Sequence, residues 1–309
     1  MGKHSSELFR ASDYRHPRFW PMWLLFGLLR LLAMLPYPAA TWFGRMAGRA
    51  LLLVSGSRTS TIDTNLSRCF PHLAEAERDR IKRNCYQNLG ISLTELAMCW
   101  WWSDERLRGL VEIRGREHLD KVLESGRGAI LLTAHYTSLE IGGRLLTLFM
   151  PLQGMYRTQR NPMFDSFLYS RRSSYLVDIV SRKHTRRLLK GIRNQVPTWY
   201  APDQDFRRER NVFAPFMNIP TATISASSRL AEAGNAAMLP YYPERKADGS
   251  GYILHIEAPI ANFPSEDEIA DAIAINLSIE NWVRRFPDNY MWMLKRFKTR
   301  PPGEAPFYP

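Results

Sequence analysis

Cysteine is scarce in this chain of 309 residues: there are three, Cys69, Cys85 and Cys99, an odd number with no C-x-x-C pair. That usage indicates neither a disulfide framework nor a zinc site, and it suits small apolar residues in a reducing compartment. There is no G-x-x-x-x-G-K-[ST] phosphate loop, which removes the usual companion of a magnesium-nucleotide site, and no G-x-S-x-G elbow, which disfavours serine hydrolase chemistry. Gly/Ser linkers, internal repeats and low-complexity tracts are missing as well, so the globular part reads as one unit. Acidic residues are in the minority, 30 against 42 Lys and Arg, for a formal charge of +12. Such an imbalance implies anionic partners: a phospholipid surface, a phosphorylated substrate, an acidic carrier protein or nucleic acid. No helix-turn-helix, RNA-recognition or zinc pattern accompanies the charge, and nucleic acid is ranked last.

A long uncharged apolar run is also lacking. Phe19 to Leu35 comes nearest, but Arg30 interrupts it, and it falls short of the roughly 20 apolar residues that cross a bilayer. Ala39 to Val54 is a second apolar stretch dotted with arginines, and Trp20, Trp23, Tyr37 and Trp42 stand where interfacial aromatics would sit. Pro36 and Pro38 follow the first run without a small-residue cleavage site, which argues against a signal peptide. The expectation is a membrane-anchoring segment over 1–56, spanning or lying in the interface plane, followed by one domain over 57–309; a buried pair of core helices is the plainer alternative.

What is present first is helix. Ile81, Cys85, Leu89, Leu93, Leu96 and Trp100 recur at steps of four and three and predict one core-facing stripe. It ends in Trp100-Trp101-Trp102, three indoles that cannot all face one core. Short apolar runs follow between polar or helical stretches: Ala129 to Thr133, Pro197 to Ala201, Ala236 to Tyr242 and Tyr252 to Ile256. Helices are predicted over Thr221 to Ala233 and Glu266 to Phe286, the second opened by Ser265 with Glu268 three residues on, a capping-box pattern. The class is α/β.

The richest stretch is Gly128 to Glu140, which reads as strand, turn and helix and delivers His135, then a carboxylate, Glu140, five residues later. On one helix a step of five would leave the two about 140° apart. With His135 in the turn, Glu140 one turn into the helix can approach the imidazole and hold its tautomer, which makes a general-base pair. A histidine that merely packs at a strand end is the plainer reading. Trp199-Tyr200-Ala201-Pro202-Asp203-Gln204-Asp205 is a second strand end carrying acids, and in open α/β sheets ligands sit beyond the carboxyl ends of strands; an ordinary Pro-Asp turn is its alternative. Between Arg171 and Arg193 stand Arg171, Arg172, Arg182, Lys183, Arg186, Arg187, Lys190 and Arg193 against the single acid Asp178. Arg207, Arg208, Arg210, Lys295, Arg296, Lys298 and Arg300 extend the charge. The run is either a solvated face or an anion site.

Leu35-Pro36-Tyr37-Pro38, Asn65-Leu66 with Cys69-Phe70-Pro71, His135 to Glu140, Tyr156-Arg157 with Asn161-Pro162, Trp199 to Asp205, and Tyr290-Met291-Trp292 with Arg296-Phe297-Lys298-Thr299-Arg300-Pro301 form an ordered set. In that set the chain resembles the late, or secondary, acyltransferases of lipid A biosynthesis, in their lauroyltransferase type. The resemblance implies a glycerolipid-acyltransferase-like mixed sheet flanked by helices, with an N-terminal hydrophobic membrane-anchor helix. It also implies acyl transfer, most often lauroyl, from acyl carrier protein to the 3-hydroxyl of an acyl chain on a lipid A precursor. His135 and Glu140 would fill the family's H-x4-D/E motif as base and orienter, and the important arginine and aspartate fall on Arg172, with Arg171 beside it, and on Asp203. Arg157, Arg171 and Arg172 would bind the phosphorylated head or the phosphopantetheine, Asp203 would organise the arginines or a hydroxyl, and Asp205 joins them as a substrate-binding residue. No cofactor or metal is called for, and the place of action would be the inner membrane, with the catalytic domain on the cytoplasmic side. Where the family often has Asp-His-Asp this chain has Asp203-Gln204-Asp205, which leaves the middle position without an assigned role. A glycerolipid or mannoside acyltransferase, or a non-catalytic basic membrane-surface protein, are the competing readings.

Overall fold

The computed structural model describes residues 9–181, 184–205 and 211–309; Arg182, Lys183, Arg207, Arg208 and Arg210 of the basic runs lie outside them. In chain order the elements are α1 (Trp20–Leu32), α2 (Tyr37–Val54), α3 (Ser57–Cys69), α4 (Glu75–Trp101), α5 (Asp104–Arg108), β1 (Val111–Arg114), α6 (Arg116–Glu124), β2 (Gly128–Leu132) and α7 (Leu139–Leu146). They continue with β3 (Gln153–Tyr156), α8 (Pro162–Ser173), β4 (Asp178–Ser181), α9 (Thr185–Arg193), β5 (Thr198–Tyr200), β6 (Asn211–Phe216), β7 (Ile219–Ile224), α10 (Ala226–Gly234), β8 (Ala236–Arg245), β9 (Tyr252–Ile256) and α11 (Glu268–Arg285).

Seven strands form a mixed sheet in the order β1-β9-β8-β2-β5-β3-β4, and β6 and β7 make a separate antiparallel hairpin. Only β8 and β9 run antiparallel within the large sheet; β2, β5, β3 and β4 are parallel, so their carboxyl ends share one edge. The centre of the sheet explains the unbroken apolar run of β2. Side chains alternate between faces: Ala129 and Leu131 enter the core beneath α1, α4, α7 and α8, while Ile130 and Leu132 enter the core beneath α9, α10, α11 and the C-terminal segment. A strand covered on both sides has no polar face to show.

The N-terminal helices belong to the first of these cores. Phe26 and Leu29 of α1 are buried, and the Phe26 ring lies 4.4 Å from Phe167 and 5.8 Å from Trp100. Helix α2 meets α4 through glycines. A Cβ on Gly90 would stand 2.0 Å from the Gly44 oxygen, and one on Gly48 would stand 2.1 Å from the Tyr86 oxygen. Backbone here touches backbone.

No helix among the described residues is long and apolar enough to cross a membrane. Helix α1 has 13 residues, a rise of about 20 Å against a hydrocarbon core of about 30 Å. The spanning form of the expected anchor helix is therefore corrected. The apolar run is instead divided between two faces: Phe26 and Leu29 point inward, and Trp20, Leu24, Leu28 and Leu31 are more than half exposed.

Other expectations shift for local reasons. The α4 stripe holds at Ile81, Cys85 and Trp100, but Leu93 is exposed, because contact with α2 and the sheet turns Gly90, Thr94, Glu95, Ala97 and Met98 inward. All three indoles find protein neighbours: Trp100 is buried, Trp101 packs beside it, and Trp102 donates from Nε1 to the Ala33 carbonyl. Thr221 to Ile224 is strand, not helix, because the turn at Met217 and Asn218, both at positive φ, closes a hairpin. No glycine marks that turn; the Met217 N–H donates to Glu280 of α11 at 2.6 Å, a distant partner. Helix α11 is capped by Asp267, which accepts from the Ile269 and Ala270 N–H groups, and not by Ser265. Replacing Gly90 by Ala is expected to cost about 2 kcal/mol through overpacking of α2 on α4, measurable as a lower denaturant midpoint.

Candidate functional site

His135 sits three residues past β2, and Asp203 three past β5, the neighbouring strand. Parallel pairing thus brings two strand-end turns together at one edge. The His135 Nδ1–H donates to Asp203 Oδ1 at 2.6 Å, and the His135 backbone N–H donates to Oδ2 at 3.0 Å. Tyr290 donates its hydroxyl to the same Oδ2 at 3.0 Å. The Asp203 side chain is fully buried, while that of His135 is 22% exposed. Burial by itself would raise the Asp203 pKa; the His135 ring, the Arg296 charge and the His135 N–H together outweigh it and hold the carboxyl below its ordinary value. The Gln204 amide nitrogen stands 2.8 Å from His135 Nε2.

A third segment clamps the turn. Met291 N–H donates to the His135 carbonyl at 3.0 Å, Thr137 N–H to the Asn289 carbonyl at 2.7 Å, and Tyr136 forms a bridge with Tyr290. Beneath it Arg245 donates to both oxygens of buried Glu95 and to Thr137 and Asn289. Ser138 is the first boundary residue of α7, yet its hydroxyl donates to the Pro243 carbonyl instead of capping the helix.

Glu140 does not hold the imidazole. Its carboxylate receives the Arg172 guanidinium, through Nε at 3.0 Å and through Nη2, and the Tyr175 hydroxyl at 3.2 Å. The expected pairing of Glu140 with His135 is corrected, because a part-buried guanidinium on α8 claims both carboxylate oxygens. Burial opposes the Arg172 charge, but Glu140 overrides it and the pKa is raised. The Arg172 guanidinium also lies over Tyr156 and Trp199, at 5.7 and 5.8 Å.

The remaining expected residues separate. Arg171 faces the N-terminal side, over Phe167 at 5.0 Å and Trp101 at 5.8 Å, so of the two neighbouring arginines Arg172 is the one that joins Glu140. Arg157 is exposed, one residue past β3. Asp205 accepts from the Thr299 N–H at 2.6 Å and its hydroxyl at 2.9 Å, which makes it a tether for the C-terminal segment where ligand binding was expected. The basic run past β4 lines a cavity of about 620 Å³ with His184, Thr185, Arg186 and Arg187. With strands about 4.8 Å apart, β4 lies roughly 14 Å from β2 along the same edge. Tyr290 and Arg296 carried no individual signal in the sequence: Arg296 is buried, donates to Asn276, and keeps Nε and Nη1 without partners among the described residues. Burial pushes all three thiols up, Cys85 to about 12, which removes them as nucleophiles.

Chemically, Nδ1–H is held by a buried carboxylate, Nε2 keeps its lone pair, and an imidazolium formed there would be stabilised at once. That is a general base for a hydroxyl. A double-mutant cycle tests the second pair: Glu140→Gln and Arg172→Leu should each cost about 2 kcal/mol of stability, because each strands a part-buried charged partner, and the double variant should cost much less than their sum. Additive losses in chemical denaturation would refute the coupling.

Residues 9–299 match the family model described as bacterial lipid A biosynthesis acyltransferase. The lipid A biosynthesis lauroyltransferase of Escherichia coli K12 is 34% identical over 93% of this chain and 94% of its own length. The palmitoleoyltransferase of the same organism is 33% identical over 96% and 97%, and its myristoyltransferase 28% over 99% and 96%. Among solved structures, the 1-acyl-sn-glycerophosphate acyltransferase PlsC of Thermotoga maritima aligns with a TM-score of 0.38 at 16% identity, over 82% of this chain and 98% of that one. With the His135, Asp203 and Tyr290 segments brought together at one sheet edge and a match that runs nearly end to end, the chain belongs to the bacterial lipid A biosynthesis acyltransferases and is an enzyme.

Proposed function

We propose that this enzyme moves a fatty acyl group, lauroyl in our reading, from acyl carrier protein to the 3-hydroxyl of an acyl chain on a lipid A precursor. The observation that carries it is the His135–Asp203 pair at the carboxyl edge of the sheet. In this scheme Nε2 takes the proton of the acceptor hydroxyl as its oxygen attacks the thioester carbonyl. The C–S bond then breaks, the imidazolium returns the proton to the leaving thiolate, and no covalent enzyme intermediate forms. Asp203 keeps the ring in the Nδ1–H tautomer and stabilises the imidazolium. Glu140 and Arg172 act together as a positioning unit for α7 and α8, whose inner surfaces flank the turn.

Three features support the partners. The excess of 42 cations over 30 acids suits an acidic carrier and a phosphorylated lipid. The cavity past β4 adds His184, Arg186 and Arg187 on the edge that carries His135, and Arg157 directly follows β3, the strand beside β4, a row suited to phosphate oxygens. The exposed apolar residues of α1, with Trp42 and Phe43 of α2, suit shallow insertion in the plane of a bilayer. We place the enzyme on the cytoplasmic face of the inner membrane, held by this surface.

With a carrier-protein thioester and an acceptor in vitro, His135→Ala should abolish transfer. Asp203→Asn should lower kcat on the order of 10²- to 10⁴-fold through loss of the tautomer. Glu140→Gln should cost less in kcat than Asp203→Asn; the reverse order would return the orienting role to Glu140. Mass spectrometry of lipid A from cells with and without the gene should show a loss equal to one acyl group, and that mass reads the chain length. An unchanged profile would overturn the reaction.

A further inference from the structure

Gln204 occupies the one place where a general base must be free. Asp203 accepts a hydrogen bond from His135 Nδ1–H, so the lone pair of the ring is on Nε2, and the Gln204 carboxamide nitrogen stands 2.8 Å from it with N–H groups to donate. The amide nitrogen, not the oxygen, faces the ring, as it must when the ring is neutral. The backbone around Gln204 is fixed on both sides: Asp203 is bound to His135 and Tyr290, and Asp205 to Thr299. A side chain held between two such anchors is aimed at Nε2 by the loop itself.

Resting on the reading of His135 as the base, we propose that Gln204 is a displaceable cap. Its amide occupies the Nε2 lone pair until the acceptor hydroxyl replaces it, and it thereby keeps water from being activated against the acyl donor. Exchange of one neutral hydrogen bond for another is nearly even in free energy, so the cap yields to a bound hydroxyl at little cost. A water that replaced the amide at the 22% exposed ring would bring only its own hydrogen bonds, whereas the acceptor brings the binding of its whole lipid. The reaction the cap suppresses is hydrolysis of the donor. Nε2 takes a proton from water, the hydroxide oxygen forms a bond to the thioester carbon, the C–S bond breaks, and the thiolate receives the proton from the imidazolium, releasing fatty acid and carrier thiol.

The test uses the full-length enzyme with acyl carrier protein charged with a fatty acid, with and without the lipid acceptor. Gln204→Met keeps the length of the side chain and removes the donor; Gln204→Asn keeps the amide and withdraws it from reach. Both should raise the ratio of hydrolysis to transfer about tenfold, the population that one hydrogen bond of this kind withholds, and neither should raise KM for the acceptor. A melting temperature like that of the wild type shows that each variant is folded. A folded variant with an unchanged ratio, or one that loses transfer without gaining hydrolysis, overturns the cap. The base reading fails separately: His135→Ala placed on the Gln204→Met background should silence both reactions, and surviving transfer there would discard His135 as the base and the cap with it, whereas an unchanged ratio in the Gln204 variants discards the cap alone.

Discussion

The buried carboxylate of Asp203 is the interaction on which the working edge depends. One ionised group accepts from the His135 backbone, the His135 ring and the Tyr290 hydroxyl, and so joins the turn after β2, the turn after β5 and the C-terminal segment at a single point. A charge in that position is costly unless its lone pairs are used. Here they are used three times, with Arg296 nearby as an opposing charge. The group that tunes the histidine is also the group that assembles the turn around it.

A second charge pair divides the labour. Glu140 and Arg172 satisfy each other, with Tyr175 completing the carboxylate, and their aromatic surroundings at Tyr156 and Trp199 keep them in place. Helix α7 comes close to the sheet at its glycines: a Cβ on Gly143 would lie 2.8 Å from the Trp199 indole and one on Gly142 2.5 Å from Pro243. Two carboxylates near His135, one five residues on along the chain and the other at the end of the neighbouring strand, thus take different work because different cations and donors reach them.

The N-terminal helices carry two duties on opposite faces. Inward, their aromatics and glycines close one face of the core; outward, α1 shows a row of large apolar side chains that no other part of the described chain covers. Hydropathy along the chain sums the two faces and reads as an approach to a span. Burial separates them, and the aromatic cluster around Phe26, Trp100 and Phe167 is the reason the inward face cannot belong to lipid.

The α/β class, the central strand at Ala129 to Leu132, its partner before Asp203, the strands β8 and β9 and the helix through Glu268 to Arg285 were legible because burial on both faces, or on one stripe, writes itself as apolar period. The short strands β1, β3 and β4, four residues each, were not: so short a run leaves no period to read. Nor was the hairpin turn at Met217, whose support comes from Glu280, 63 residues away. His135 and its setting at a strand end were determined by the sequence, together with the candidate acids Glu140, Asp203 and Asp205. Which acid serves the ring was decided only by the tertiary structure. Strand order places β5 beside β2, α8 brings Arg172 to Glu140, and the C-terminal segment takes Asp205 through Thr299. Spacing along a chain says what can meet; the competing partners that arrive from elsewhere determine what does.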